Sequence, residues 1–138
     1  MDKINFQNGA SGNTPLNATN LNKLQDNIET AVNGTILYED KTGTIEDVPL
    51  SETCVNFNYL EIYLGENCNK VKSRNGMTTG IFSIDSGSSN VYVYMSRITL
   101  KDTTIQQQNV KRVYFPEGSG AVYDLNNLAS ITKVIGYK

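Results

Sequence analysis

Apolar residues recur at helical spacing only near the amino end of the chain. Four of them follow one another at spacings of three, four and three positions, and a fifth lies beside the last: Leu21, Leu24, Ile28, Ala31 and Val32. These spacings place the first four on one stripe of an α-helix, at the a and d positions of a heptad. Gly34 marks the end of the helix, because glycine readily adopts the left-handed backbone conformation. We therefore predict a helix over residues 16–34.

An apolar stripe on a single helix must be covered, and the sequence leaves two covers open. The stripe packs either on this chain's own β-region or on copies of itself in a short parallel bundle. The flanking positions Asn20, Gln25 and Asn27 carry no charge, so identical helices can meet there without repulsion. We favour self-association and predict an oligomerisation helix, with the five stripe residues at its interface. Two heptads are too few to hold a bundle alone, so the rest of the chain must contribute.

After residue 35 the period changes to two, which is typical of strands. The clearest alternation predicts Leu60, Ile62 and Leu64 on one face and Tyr59, Glu61 and Tyr63 on the other. Further strands are predicted at 35–40, before Pro49, and over 68–73, 80–85, 91–102, 110–116 and 130–138, and residues 120–130 are read as a loop or a short strand. Residues 41–50 are expected to contain a turn, residues 74–76 read as a hairpin turn and residues 86–89 as a hairpin loop.

One of these strands is apolar on both faces. Tyr92, Tyr94, Ile98 and Leu100 share one face, and the other carries Val91, Val93 and Met95. A strand of this kind is covered on both sides, by its own core and by a second sheet or a neighbouring chain. We predict the second group as part of an interface between chains.

Short strands without intervening helices predict an antiparallel β-sandwich or jelly-roll-like head over residues 35–138. The fold class is therefore mainly β, with a short amino-terminal helix. Residues 1–15 are rich in Gly, Asn and Ser and predict an extended arm, with Ile4 and Phe6 able to dock on a partner or a frayed terminus as the alternative.

The composition of the chain argues against several classes of binding partner. The net charge is −2 and no run of Lys or Arg exceeds two residues, so we expect neither nucleic-acid nor membrane-surface binding. We also expect no signal peptide and no membrane span. Cys54 and Cys68 are expected as free thiols, since a chain made in a reducing cytoplasm keeps them reduced, with a late disulfide outside the cell as the alternative.

The residue types favour binding over catalysis. The chain has no histidine, which removes the commonest general base and metal ligand, and the cysteines lack metal-binding spacing. Glu61 is the residue to test for glycoside hydrolysis, although an outward strand face commonly carries such a residue. We expect no enzyme, no metal and no cofactor. Tyrosine suits sugar and protein surfaces alike, and Tyr63, Arg112 and Tyr114 are the candidates for ligand contact.

Two parts of the chain resemble tail-fibre, receptor-binding and baseplate proteins of bacteriophages and prophages of Gram-positive bacteria. The first is INFQNGASGNTPLNATNLNKLQDNIETAV, with its TPLNA-x-NLN core, and the second comprises VNFNYLEIYL and the terminal ITKVIGYK. The resemblance implies a homotrimeric virion protein, assembled in the bacterial host cytoplasm, with an attachment arm for other tail or baseplate proteins, a coiled-coil neck and a β-rich head. The head would bind a host polysaccharide or teichoic acid without cleaving it. A structural tail adaptor and a glycan depolymerase are the alternatives. No ligand-contact motif of the family can be matched in this chain.

Overall fold

The structure of the protein is a computed structural model. It describes residues 18–44, 46–86, 90–116, 118, 120–124 and 129–138. The helix α1 spans Ala18–Asn33. The strands are β1 (Thr35–Thr44), β2 (Val48–Pro49), β3 (Tyr59–Leu64), β4 (Asn67–Lys72), β5 (Thr78–Ser86), β6 (Asn90–Lys101), β7 (Thr104–Pro116), β8 (Val122–Asp124) and β9 (Ile131–Tyr137). A single 3-10 turn, Cys54–Asn56, separates β2 from β3. The predicted arm over residues 1–15 lies outside the described residues.

The strands form two antiparallel sheets. Sheet A has the order β1-β9-β3-β4, and sheet B has the order β2-β7-β6-β5 with β8 paired to β7. Within the described part of the chain, neither sheet closes into a barrel. The mainly β fold class with a short amino-terminal helix is therefore confirmed.

The core lies between the two sheets and is built from alternating side chains. Leu60, Ile62 and Leu64 of β3 are fully buried, as the period-two pattern predicted. Sheet B meets them with the equally buried Ile98 and Leu100 of β6. Since each strand buries every second side chain, the outer faces of both sheets are left for other contacts.

The turn predicted within residues 41–50 does not lie at residues 41–44. These residues continue β1, which pairs with β9 as far as Thr44 and Ile131. The register shifts between Glu39 and Thr44, and Gly43 has a φ of 68°. A glycine in this conformation allows a β-bulge, so the Lys-Thr-Gly-Thr sequence that looks like a turn bends the strand without ending it.

The start of β7 also differs from the prediction, which began that strand at residue 110. Residues 104–108 pair with β6, although Gln106, Gln107 and Gln108 give them no apolar alternation. The side-chain amide of Gln107 donates to the carbonyl oxygens of Thr44 and Glu46, at 2.9 and 2.7 Å. A register shift opposite Met95–Arg97 then moves the later residues into the opposite phase. The polar side chains and the bulge therefore explain why the pattern of apolar residues did not predict the first part of β7.

The hairpin predicted at residues 74–76 is a turn of another kind. Gly76 has a φ of 77°, and the Met77 N–H donates to the Arg74 carbonyl at 3.1 Å, as in a tight turn. The strands that it joins lie in different sheets, however. Ser73 bonds to Asn58 on the sheet A side, whereas Gly76 bonds to Leu100 on the sheet B side. The turn therefore carries the chain from one layer to the other.

The helix ends as predicted. Gly34 follows Asn33 with a φ of 69°, the left-handed conformation that terminates helices. A Cβ at Gly34 would lie 2.5 Å from Ile135 Cγ2 and 2.9 Å from the ring of Tyr137. The end of the helix is thus held tightly against β9, and glycine is required there for space as well as for conformation.

Gly136 provides a test of the packing in β9. A Cβ at this position would lie 2.6 Å from two ring atoms of the buried Phe57. We expect Gly136→Ala to lower the free energy of unfolding by about 1–3 kcal/mol, the usual cost of overpacking. Urea unfolding at one fixed protein concentration measures the change.

Gly80→Ala is the matched control, since a Cβ on this β5 glycine would meet no atom within 4 Å. We expect the control to be neutral or to stabilise by up to about 1 kcal/mol, through the unfolded chain. Equal stabilities of the two variants would contradict the packing of Phe57 on Gly136.

Candidate interaction surfaces

The helix stripe is exposed to solvent in the single chain. Leu21, Leu24, Ile28 and Val32 keep 48%, 40%, 54% and 70% of their surface accessible, and Ala31 is also exposed. No side chain that the structure describes in α1 is buried. The alternative in which the stripe packs on the chain's own sheets is therefore not what these residues adopt, and the described residues leave the stripe without a cover.

A second apolar surface lies on the outer face of sheet B. We define the sheet B patch as seven outward residues of β5, β6 and β7: Phe82, Ile84, Val91, Val93, Met95, Val113 and Phe115. Strand pairing makes them contiguous, since Phe82 lies opposite Met95, Val93 lies between Ile84 and Val113, and Val91 pairs with Phe115. Five of the seven are between 43% and 54% exposed. Surfaces of this kind mark contacts with other molecules.

The sequence predicted only part of this patch. Val91, Val93 and Met95 were expected at an interface, and the structure places them together in the middle strand. Phe82 and Ile84 were missed, although their alternation with Ile81 and Ser83 was visible in the sequence. An open hollow of about 460 Å³ lies beside Met95, and Gly80, Phe82, Arg97 and Lys111 are among the residues that line it.

A column of stacked groups crosses the outer face of sheet A at the helix end. The rings of Tyr59 and Tyr137 are parallel within 9° with centroids 4.8 Å apart, and Lys70 Nζ lies 3.7 Å from the Tyr59 centroid. Gly34 closes the Tyr137 side of the column. Both rings have neighbours on their faces, so this column holds the helix end to the sheet and is not an open platform for a sugar.

The three candidate ligand-contact residues fall on two different surfaces. Tyr63 lies on the outer face of sheet A, opposite Cys68 and Lys133. Arg112 and Tyr114 lie on sheet B, on the face that looks toward sheet A, because they pair with Tyr94 and Tyr92. The structure therefore brings Arg112 and Tyr114 together and leaves Tyr63 apart.

Arg112 and Tyr114 belong to an aromatic cluster with Tyr92. The ring centroids of Tyr92 and Tyr114 are 5.9 Å apart, and Arg112 Cζ lies 5.1 Å from the Tyr92 centroid and 5.8 Å from that of Tyr114. The side-chain amide of Asn90 donates to the Tyr92 hydroxyl at 3.0 Å. A guanidinium near two ring faces is stabilised by cation–π attraction, so the cluster is fixed at this end of the sandwich.

A polar cavity opens between the sheets beside this cluster, and we call it the end cavity. Its volume is about 400 Å³, and the described residues lining it are Gly65, Glu66, Asn67, Ser83, Ile84, Asp85, Tyr94 and Ala129. Tyr94 pairs across the strands with Arg112, which connects the cavity to the cluster. Sequence reasoning missed this site, because its residues come from four separate segments of the chain.

The described residues offer little other chemistry. They contain no group of three or more Cys, Asp or Glu side chains placed to hold a metal ion. Among these residues no helix has the length and apolar character needed to cross a bilayer. Cys54 is buried and Cys68 exposed, and both are free thiols. Partial burial, followed by the charge of Glu61, raises the pKa of the Cys68 thiol, which makes it a weak nucleophile at neutral pH.

Ionisation of the Tyr137 hydroxyl is expected to lower the free energy of unfolding at alkaline pH. Burial, followed by its 3.0 Å hydrogen bond to the Glu61 carboxylate, raises the pKa of Tyr137 to about 12. A tyrosine pKa above the unfolded value of about 10 stabilises the fold fully below that pH, and this contribution is lost as pH rises toward 12. We expect wild-type stability to fall across this window by more than that of Tyr137→Phe, which cannot ionise.

Chemical denaturation at pH 8, 10 and 11.5 measures the difference, and Tyr137→Phe also reports the hydrogen bond, worth about 1 kcal/mol at neutral pH. The same pH dependence in both proteins would contradict the assignment of the shift to Tyr137.

Comparison with known proteins assigns no family. No family model, curated protein or solved structure matches this chain.

Proposed function

We propose that the protein is a homotrimeric tail-fibre or receptor-binding protein of a bacteriophage of Gram-positive bacteria. It would attach the virion tail to a polysaccharide or teichoic acid of the host surface by multivalent binding, without bond cleavage. The amino-terminal arm would join it to other tail or baseplate proteins. The observation that carries the proposal is the coexistence of two apolar surfaces that the described residues leave uncovered, the helix stripe and the sheet B patch.

The free energy of burial favours association through the helix stripe and the sheet B patch together. Full burial of a Leu or Ile side chain is worth about 1.5–3 kcal/mol, so a half-exposed one contributes roughly 1 kcal/mol on association. Association itself costs about 4–15 kcal/mol, which the helix stripe alone barely offsets. The sheet B patch adds a contact of similar size. A helix neck supported by contacts between heads is therefore the arrangement that we propose.

The placement of Glu61 bears on catalysis. This carboxylate, the residue to test for glycoside hydrolysis, accepts the hydrogen bond of the Tyr137 hydroxyl on the outer face of sheet A. Its surroundings are the stacked column that holds the helix end. A structural role for Glu61 supports a binding protein over a depolymerase.

Multivalence explains how a small head can hold a cell surface. Three linked sites can raise apparent affinity by about 10²–10⁴ over one site, with no new contact at any site. A shallow polar site on each head then suffices. The trimer is thus part of the binding mechanism that we propose.

The experiment measures binding of fluorescently labelled full-length chain to purified cell walls from a panel of Gram-positive bacteria. We expect wild-type protein to bind the walls of at least one member, with no release of reducing ends. Ile28→Asp should weaken that binding at least tenfold, because a charge on the stripe separates the chains and removes avidity.

Asn22→Asp is the matched control, since it adds the same charge to another exposed residue of the helix that does not belong to the stripe. We expect it to bind as the wild type does. Absence of binding to every wall would contradict a receptor role and favour the tail-adaptor alternative. Release of reducing ends would instead indicate a depolymerase.

A further inference from the structure

The end cavity lies at the end of the sandwich away from the helix. The helix joins sheet A where Thr35 pairs with Gly136, beside Tyr59 and Tyr137. From there β3 runs the length of the sheet to Leu64, and Gly65 follows in the wall of the cavity. If the helices form the neck of a trimer, the cavity is carried on the part of each head opposite the neck.

Hydrogen bonds within sheet A and between the two sheets preform the cavity. The Gly65 N–H donates to the Ser130 carbonyl at 2.9 Å, and the Thr132 hydroxyl donates to the Gly65 carbonyl at 2.8 Å. The side-chain amide of Asn67 donates to the Ile84 carbonyl of the other sheet at 3.2 Å.

Next along β4, Asn69 strengthens the same seam. Its side chain donates to the Phe82 carbonyl at 2.8 Å and accepts from the Phe82 N–H at 2.9 Å. These are the two backbone hydrogen bonds that a neighbouring strand would otherwise make to Phe82. The two sheets are therefore fixed relative to each other at the cavity wall. A wall held in this way needs no ordering on binding, which favours affinity.

The cavity presents hydrogen-bond groups that the protein itself leaves unused. Ser83 is only 5% exposed and yet lines the cavity, and none of the hydrogen bonds among the described residues uses its hydroxyl. The same holds for the carboxylates of Glu66 and Asp85, which also take part in no ion pair with a described residue. A buried hydroxyl normally finds a partner, so Ser83 indicates a ligand that can hydrogen-bond to it. The exposed carboxylates of Glu66 and Asp85 line the same cavity and can accept further hydrogen bonds from that ligand.

The charge of the lining selects among such ligands. The described lining residues include two carboxylates and neither Lys nor Arg. Carboxylates accept hydrogen bonds from sugar hydroxyls but repel a phosphodiester. A basic hollow of about 290 Å³ does exist, lined by Lys72 and Arg74, but it lies at the other end of β4, on the helix side.

We infer that the end cavity binds a neutral saccharide unit through Glu66, Asp85 and Ser83, with Tyr94 supplying an aromatic surface. Its volume falls within the roughly 300–1,000 Å³ of small-molecule sites. The inference rests on the proposed function and deepens it, because it selects the sugar, and not the phosphate, as the group recognised on the host surface.

The test is a two-dimensional ¹H–¹⁵N NMR titration of the full chain. The probes are glucose, galactose, rhamnose, N-acetylglucosamine and N-acetylgalactosamine, with glycerol 1-phosphate at matched concentrations. We expect at least one sugar to shift the amides of Glu66, Asn67 and Asp85 saturably. Failure of every sugar to do so, or saturable shifts of these amides with glycerol 1-phosphate, would overturn the inference.

Variants test the carboxylates directly. The double variant Glu66→Gln, Asp85→Asn alters exposed side chains without changing their size, and we expect it to weaken the binding of the active sugar at least tenfold. Glu52→Gln is the control, since this exposed residue lies beside the turn between β6 and β7, away from the cavity. Equal affinity of the double variant and the wild type would also overturn the inference.

These results separate the two proposals. Binding to cell walls without any sugar shift at the cavity would overturn the saccharide site and leave the receptor role in place. A sugar shift at the cavity in a chain that binds no cell wall would support the site and count against the receptor role.

Discussion

A β-strand places successive side chains on opposite faces, so β6 can bury only one of its two apolar faces in the chain's own core. Ile98 and Leu100 fill that core together with β3, whereas Val91 and Met95 are left facing outward. The helix stripe has the same difficulty, since the described sheets do not cover it. Two apolar surfaces without a cover are the constraint from which our account of the oligomer, and hence of multivalent binding, follows.

The same sandwich separates the end that holds the helix from the end that carries the cavity. At one end Gly34, Tyr137, Tyr59 and Lys70 hold the helix against sheet A. At the other end, polar groups line a cavity between the sheets. The strands between them are rigid connections, so a neck built from the helices would present the cavities together on the far side. In the function that we propose, three copies of a weak sugar site would together hold a polymer surface.

Sequence reasoning predicted the parts of the fold that depend on local periodicity. Leu60, Ile62 and Leu64 are buried as their spacing indicates, and Gly34 ends the helix. Other parts of the fold were not predicted. Gly43 bends β1 where a turn was expected, and the first part of β7 carries polar residues such as Gln107, which forms hydrogen bonds through its side chain. The end cavity could not be predicted, since strand pairing between distant segments creates it and no local pattern records that pairing.

Sedimentation equilibrium of the full-length chain at micromolar concentration tests the central claim most directly. If copies of the chain cover the helix stripe and the sheet B patch, the measured mass is three times that of the 15.3 kDa chain. A mass equal to that of one chain, unchanged up to the highest soluble concentration, would contradict the account.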